Sequence, residues 1–326
     1  MPLSGLVAAS LHCIGSVCRP SLETGTRGAA RTGLPIASSE KMPNGRLLTL
    51  AAGDRLTGDR YCQIGGSMSV DVLIPESTDA AVEAYGDGSD ITVIAGGTIV
   101  MQLVNYGWIR PSRAMLLNKA GLSYVNQDGS SYTVGAMTPL SDLIDLFSPL
   151  GPCARNVADH EVQYQATIGG NLCAPTPPEH PSGDLQGPLI ALGATVRSAG
   201  AGAERTESVE DFLANKDGRL VLDISFTAPD AGAFAALDRP HTRHFTALAV
   251  SGAKTADGMR LAATGAGPTG VRLSSAEAAA GNPAAAGVAA LQDVNLRDDA
   301  LASAWYRERT LPSLVARVLT EIEEAS

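Results

Sequence analysis

The sequence is short of basic residues, aromatics and patterned cysteines. Its 24 Lys and Arg against 34 Asp and Glu leave a net charge of −10. That balance excludes a phosphate-backbone partner, because nucleic-acid binding needs clustered cations. Phe, Trp and Tyr make up only 4% of the chain. The five cysteines, Cys13, Cys18, Cys62, Cys153 and Cys173, form no C-x-x-C pair and no zinc or iron–sulfur ligand spacing. They read as free thiols in a reducing cytoplasm, so a cytoplasmic location is expected. No apolar run reaches the 18 residues of a membrane span. The opening residues lack a basic stretch ahead of an apolar one, so a secretory signal is not expected. No G-x-G-x-x-G follows a strand pattern, which argues against a Rossmann dinucleotide site.

At 326 residues and 44% hydrophobic content, the chain predicts two or three domains with ample core. Residues 1–67 stand apart. They are rich in Ser, Thr, Gly and Pro, carry three of the five cysteines, and show no sustained period. They are expected to be disordered or absent from the mature protein, with Met68 opening the first ordinary segment.

From Met68 the pattern alternates strand and helix. Val70–Ile74 reads as an edge strand ending at Pro75. Ser77–Tyr85 starts with capping residues and reads as a helix. Ile91–Ile94 reads as a buried strand, and Thr98–Tyr106 as a helix stopped near Gly107. Short strands are predicted at Met115–Asn118 and Ser131–Met137, and a short helix at Ser141–Phe147. Pro149–Cys153 should break regular structure. A Pro-rich linker spans Pro175–Pro181. Pro188–Gly193 and Ser208–Leu213 read as helices, and Ala194–Arg197 and Leu220–Phe226 as strands. Composition shifts near Ala228–Gly232, suggesting a boundary. Beyond it, Asp257-Gly258 between two apolar runs signals a hairpin. Asp299–Glu324 reads as a helix with Leu301, Trp305, Leu314, Val315, Val318 and Ile322 near one face, kinked or split at Pro312.

Two double glycines carry the chemistry. Ala95-Gly96-Gly97-Thr98 follows an apolar run, and Thr167-Ile168-Gly169-Gly170-Asn171 lies further on. Glycine reaches positive φ and lets backbone approach a ligand closely. Consecutive inward N–H groups make an anion cradle. Strand, glycine turn, helix is also the order that places an anion at a helix N-terminus. Each pair alone reads as a turn. Together they are read as gripping one diphosphate, that of a flavin dinucleotide.

These stretches resemble the flavin-binding medium subunit of molybdenum hydroxylases, the xanthine dehydrogenase and carbon monoxide dehydrogenase group. Ile94-Ala-Gly-Gly-Thr98 resembles the family's first flavin loop, and Val134-Gly-Ala-Met-Thr138 the strand and turn after it. Ala166–Leu172 resembles the second loop, and Asp184 with Leu189–Ala194 an acidic residue and its trailing helix. Ala263–Thr269 and Ser303–Arg307 resemble a turn and the last helix of the C-terminal domain. The likeness covers roughly residues 68–326. It implies an α+β fold: a two-lobed FAD-binding domain of the PCMH, vanillyl-alcohol-oxidase-like type over 68–229, with lobes of about 68–120 and 121–229. A C-terminal α+β domain of the carbon monoxide dehydrogenase flavoprotein type would occupy 230–326. FAD would be held by Ile94, Ala95, Gly96, Gly97, Thr98, Ile99, Thr167, Ile168, Gly169, Gly170 and Asn171, with Asp184 on its sugar portion. The resemblance further implies a small subunit with two [2Fe–2S] clusters and a large molybdopterin subunit, assembled as a dimer of heterotrimers. This chain would relay electrons through FAD to an external acceptor. It departs from the family at Ile99, at Gln163-Tyr164, and in lacking a lysine near Phe234–Asp238.

Other readings stay open. The chain could be a self-sufficient flavoprotein oxidoreductase of the same fold, or a degenerate homologue without FAD. Asp184 could be a plain helix cap. Cys173 could approach the flavin or be an inert buried thiol. His241-Thr-Arg-His244 reads as a partly exposed structural pair, and Tyr106 and Trp108 as core.

Overall fold

In the computed structural model, residues 70–174, 183–239 and 242–325 are described. The expectations for residues 1–67, for the Pro-rich linker and for the side chains of His241 and His244 lie outside the described residues.

The first lobe runs β1 (Asp71–Leu73), α1 (Thr78–Tyr85), β2 (Thr92–Ile94), α2 (Val100–Asn105) and β3 (Arg113–Leu116). Its three strands are parallel in the order β1-β3-β2. Ser77 caps α1 by accepting the Ala80 N–H at 3.1 Å, and Gly86 ends it at φ +60°. β2 is half-buried rather than fully buried. Ala81, Tyr85, Met115 and Leu122 fill the core, together with Leu220 and Leu222 from the second lobe.

The second lobe contains β4 (Val125–Asp128), β5 (Ser131–Gly135), α3 (Leu150–Asn156), α4 (His160–Gln165), α5 (Ile168–Leu172), α6 (Gln186–Ala191), β6 (Thr195–Gly200), β7 (Arg205–Ser208), α7 (Val209–Ala214) and β8 (Arg219–Thr227). Its five strands pair antiparallel in the order β4-β5-β8-β6-β7. The expected helix at Ser141–Phe147 is a single 3₁₀ turn, Leu140–Asp142, followed by further turns. Phe147 turns instead onto Tyr132 and Phe226, with ring centroids 5.4 and 6.1 Å away. The expected break at Pro149–Cys153 is the start of α3. Pro152 sits in its first turn, where a helix has no use for the missing N–H.

The C-terminal part runs β9 (Ala231–Arg239), β10 (Thr242–Thr255), β11 (Gly258–Thr264), β12 (Val271–Arg272), α8 (Ser274–Ala278), α9 (Pro283–Ala289) and α10 (Ala304–Ala325). The sheet is antiparallel in the order β12-β11-β10-β9. Thr255 pairs with Gly258 across the tight turn that Asp257-Gly258 signals. α10 is one 22-residue helix, not two. Pro312 leaves the Glu308 carbonyl without a helical donor, but Glu308 is exposed and water can serve it. The buried face is Leu311, Leu314, Val315, Val318 and Ile322, whereas Trp305 is exposed and Leu301 precedes the helix.

Candidate functional site

The first glycine pair leaves β2 and turns sharply into α2. Gly97 takes φ +75°, a left-handed backbone that a side chain would strain. The backbone N–H groups of Gly96, Gly97, Thr98 and Ile99 donate to no acceptor among the described residues. Unpaired amides need a partner, and here one anion or water can meet several at once. Ile99 precedes α2 without capping it. With only six residues in α2, the turn's amides rather than a long helix dipole carry the attraction.

The second pair is built differently from the expectation. Gly169 and Gly170 do not form an open loop; they lie in the first turn of α5. Thr167 caps that turn, its Oγ1 accepting the Gly170 N–H at 3.1 Å. Ile168 and Gly169 donate to the Thr138 and Ala136 carbonyls at 3.0 and 2.9 Å, and Asn171 to the Thr167 carbonyl at 2.8 Å. Those amides are therefore spent within the protein. The glycines instead permit close packing: a Cβ on Gly169 would lie 2.8 Å from Ala136, and one on Gly170 3.0 Å from the capping Thr167 Oγ1. The second motif is a thin wall, while the first supplies the free donors.

The two motifs meet at one cavity of about 220 Å³. Ala95, Gly96, Gly97, Thr98 and Ile99 line one side, and Thr167, Gly169, Gly170 and Asn171 another. Three expected residues are not in its wall. Ile94 ends β2, and Ile168 is fully buried in the second-lobe core. Asp184 is placed one segment away, its carbonyl accepting from the Cys153 thiol at 3.4 Å and Thr264 Oγ1 at 3.2 Å. Asn171 links that segment to the cavity, since its Oδ1 accepts the Leu185 N–H at 2.8 Å.

Sequence reasoning missed Arg219, Leu220 and Val221 of β8, which also line the cavity. Nothing in an ordinary strand pattern marks these residues as facing a ligand. Cys173 also lines the cavity. Burial raises its thiol pKa to about 11, opposed by the nearby Lys216 ammonium. At neutral pH it is an uncharged thiol. Lys216 spans the end of α5, donating to the Cys173 and Ala174 carbonyls at 3.4 Å each. Tyr106 and Trp108, expected in the core, are both exposed and pack on each other, with ring centroids 5.7 Å apart. Among the described residues, no group of three or more His, Cys, Asp or Glu could hold a metal ion. Nor is any described helix long and apolar enough to cross a membrane.

Residues 67–226 match the family described as the FAD binding domain in molybdopterin dehydrogenase. The 6-hydroxypseudooxynicotine dehydrogenase complex subunit alpha of Paenarthrobacter nicotinovorans is 26% identical over 283 residues, 78% of this chain and 94% of its own. The carbon monoxide dehydrogenase medium chain of Hydrogenophaga pseudoflava is 30% identical over 149 residues, 43% of this chain and 50% of its own. Over residues 67–226, just under half of its length, this chain is similar to the FAD binding domains of molybdopterin dehydrogenases. The solved carbon monoxide dehydrogenase of Hydrogenophaga pseudoflava gives a chain with a TM-score of 0.70 at 24% identity, covering 78% of this chain and 98% of that chain. That likeness carries the fold alone, mixed helix and sheet of the α+β kind. The unpaired amides of the first turn fit what such a domain binds, a cofactor with an anionic diphosphate.

Proposed function

We propose that this chain is the medium subunit of a molybdenum hydroxylase and relays electrons, taking them from [2Fe–2S] clusters on a small partner subunit and passing them through FAD to an external acceptor. The carrying observation is the pairing of four unbonded amides at Gly96–Ile99 with the thin α5 wall on one cavity. The turn would hold the diphosphate, Thr98 and Asn171 would add side-chain hydrogen bonds, and Asp184 would bind the sugar portion. At about 220 Å³ the cavity suits a section of the dinucleotide, since whole-ligand pockets run to roughly 300–1,000 Å³. FAD, when bound, supplies the redox chemistry; the protein supplies position and electrostatics. Hydroxylation would take place at a molybdopterin centre on a large partner subunit, the three chains forming a dimer of heterotrimers. The relatives' own names support a multi-subunit setting, being the subunit alpha of a dehydrogenase complex, a medium chain and a subunit beta.

Purification of the chain with whatever accompanies it tests the reading. Expected are bound flavin, absorbing near ~450 nm, and co-purifying proteins that contain iron–sulfur and molybdenum centres. A flavin-free chain that takes up no added FAD would rule the relay out. A chain that turns over a small organic substrate alone would favour a self-sufficient flavoprotein.

A further inference from the structure

The segment Gly183–Gly187 is held by polar contacts from two sides, three of them buried and two partly buried. On one side stands α5, which carries the cavity wall. Asn171 Oδ1 accepts the Leu185 N–H at 2.8 Å, and Gln186 Nε2 donates to the Leu172 carbonyl at 2.8 Å. On the other side stands the C-terminal sheet. Gln186 Oε1 accepts the Gly270 N–H at 2.7 Å, and Thr264 Oγ1 accepts the Gly187 N–H at 3.0 Å while donating to the Asp184 carbonyl at 3.2 Å. Gln186 is fully buried and Thr264 nearly so. The fit is tight. A Cβ on Gly187 would crowd Thr264 Oγ1 at 2.5 Å, and one on Gly270 would lie 2.8 Å from the Gln186 Cβ.

We propose that Gln186 and Thr264 are positioning residues through which the C-terminal sheet sets the placement of Asp184 and the α5 wall, and thereby the affinity for FAD. Three physical points support this. Gln186 uses a donor on α5 and an acceptor toward the C-terminal sheet, so one side chain ties both to α6. Thr264 saturates its hydroxyl in the same way, as donor to one backbone group and acceptor of another. The bonds among Asn171, Leu172, Leu185, Gln186, Gly187 and Thr264 are buried, and those to the Asp184 carbonyl and the Gly270 amide are partly so, so losing a buried partner leaves a desolvated amide or carbonyl that must move to find water. The segment that must then shift is the one bearing Asp184. A surface contact between domains would not transmit in this way, because water would replace it.

The inference rests on the flavin reading, and its test separates the two. Full-length Gln186→Met, Gln186→Glu, Thr264→Val and Thr264→Ser are compared with the parent chain. FAD dissociation constants, apo melting temperatures and amide hydrogen exchange at Leu185 and Gly187 are measured. Gln186→Met and Thr264→Val are expected to weaken FAD binding roughly tenfold or more, with faster exchange at Leu185 and Gly187. Gln186→Glu keeps the acceptor toward Gly270 but loses the donor to Leu172, so it too should weaken binding. Thr264→Ser keeps the hydroxyl and should bind as the parent does. The inference is overturned if folded Gln186→Met, Gln186→Glu or Thr264→Val binds FAD within twofold of the parent. It is also overturned if Thr264→Ser is as impaired as Thr264→Val. If the parent itself binds no FAD while exchange at both amides still responds, the flavin reading fails and the affinity claim fails with it. Should Thr264→Val not fold, Gln186→Glu and Thr264→Ser still decide the matter.

Discussion

Gly96 and Gln165 approach so closely that a Cβ on Gly96 would overlap the Gln165 carbonyl oxygen. One residue belongs to the turn after β2, the other to the end of α4, just before the Thr167 cap. The first-lobe turn is thus set against the second lobe backbone to backbone, with no side chain between. Gly170 also faces the first-lobe turn, but there a Cβ would meet the Ala95 Cβ at an ordinary 3.5 Å.

Gly96→Ala should therefore damage site and stability together. The added methyl has no flexible neighbour to displace, only backbone, so the two elements must part. Overpacking of this sort costs about 1–3 kcal/mol. The flavin content of the purified variant should drop well below the parent's, and denaturant titration should show the loss of stability. Parent-like flavin content with an unchanged unfolding midpoint would contradict the close approach.

Ile99→Asp probes the electrostatics of the same turn without crowding it. Ile99 lines the cavity and is half-buried beside the unbonded amides. A carboxylate there would occupy those amides and repel an anionic ligand. Repulsion across a few ångströms at a partly exposed site is about 1–3 kcal/mol, or tenfold or more in affinity. The effect should shrink at high salt, as partly exposed charges are screened. Ile99→Asn, similar in size and uncharged, should bind FAD far better than Ile99→Asp in the same titration. Equal affinities for the two variants would place the diphosphate elsewhere.

How much of this was legible beforehand follows from the residues themselves. Ser77, Gly86 and Ser208 mark helix ends by chemistry that acts locally, so α1 and α7 were readable. The Asp257-Gly258 hairpin was readable for the same reason. β4 and β7 were not, because Val-Asn-Gln-Asp and Arg-Thr-Glu-Ser offer no apolar alternation and are strands only by pairing with neighbours. β9 was hidden by its Ala-Gly composition, which has little intrinsic strand preference. At the site, the double glycines announced close approach but not which partner each would approach. Gly96–Gly97 leaves its amides free, whereas Gly169–Gly170 spends them on Thr167 and Ala136. That distinction is tertiary. So is the role of Gln186, an unremarkable residue in sequence whose two ends find Leu172 and Gly270 only in the folded chain.

Cys173 supplies a prediction about pH. Burial raises its pKa to about 11, and burial likewise raises that of Cys153, which also faces the Asp184 carboxylate. A thiol raised above its unfolded value of 9.0 favours folding at low pH. That contribution is whole below about 9 and is lost as pH rises toward 11. Native alkylation at pH 7.5 should leave both cysteines unmodified, as shown by peptide mass spectrometry. Above about pH 10, Cys173 should react first, because it is half-buried and Cys153 is fully buried. Added FAD should slow that reaction if it occupies the cavity that Cys173 lines.

Arg307 and Asp299 supply the last. Arg307 is 2% exposed, yet its guanidinium is saturated. It donates to the Ala247, Arg297 and Ala302 carbonyls at 3.0, 2.6 and 2.9 Å, and to both Asp299 oxygens at 2.9 and 2.7 Å. The residue thus ties β10, the 297–302 segment and α10 together. Arg307→Met keeps the length and removes every donor, leaving a carboxylate and three carbonyls without their partner. Breaking a buried pair from one side costs about 3–5 kcal/mol. Burial works against ionising Asp299, but Arg307 and the Ala302 and Leu301 amides outweigh it and hold the carboxyl below its usual 3.8. A depressed carboxyl stabilises the fold above the unfolded value, and that stabilisation disappears as pH falls through the folded one. The parent chain should therefore lose stability below about pH 4, and Arg307→Met should lose less over the same interval, having forfeited the pair already. Denaturant titrations between pH 3 and 7 measure both slopes. Parallel slopes would mean that Asp299 owes its ionisation to the Ala302 and Leu301 amides rather than to Arg307.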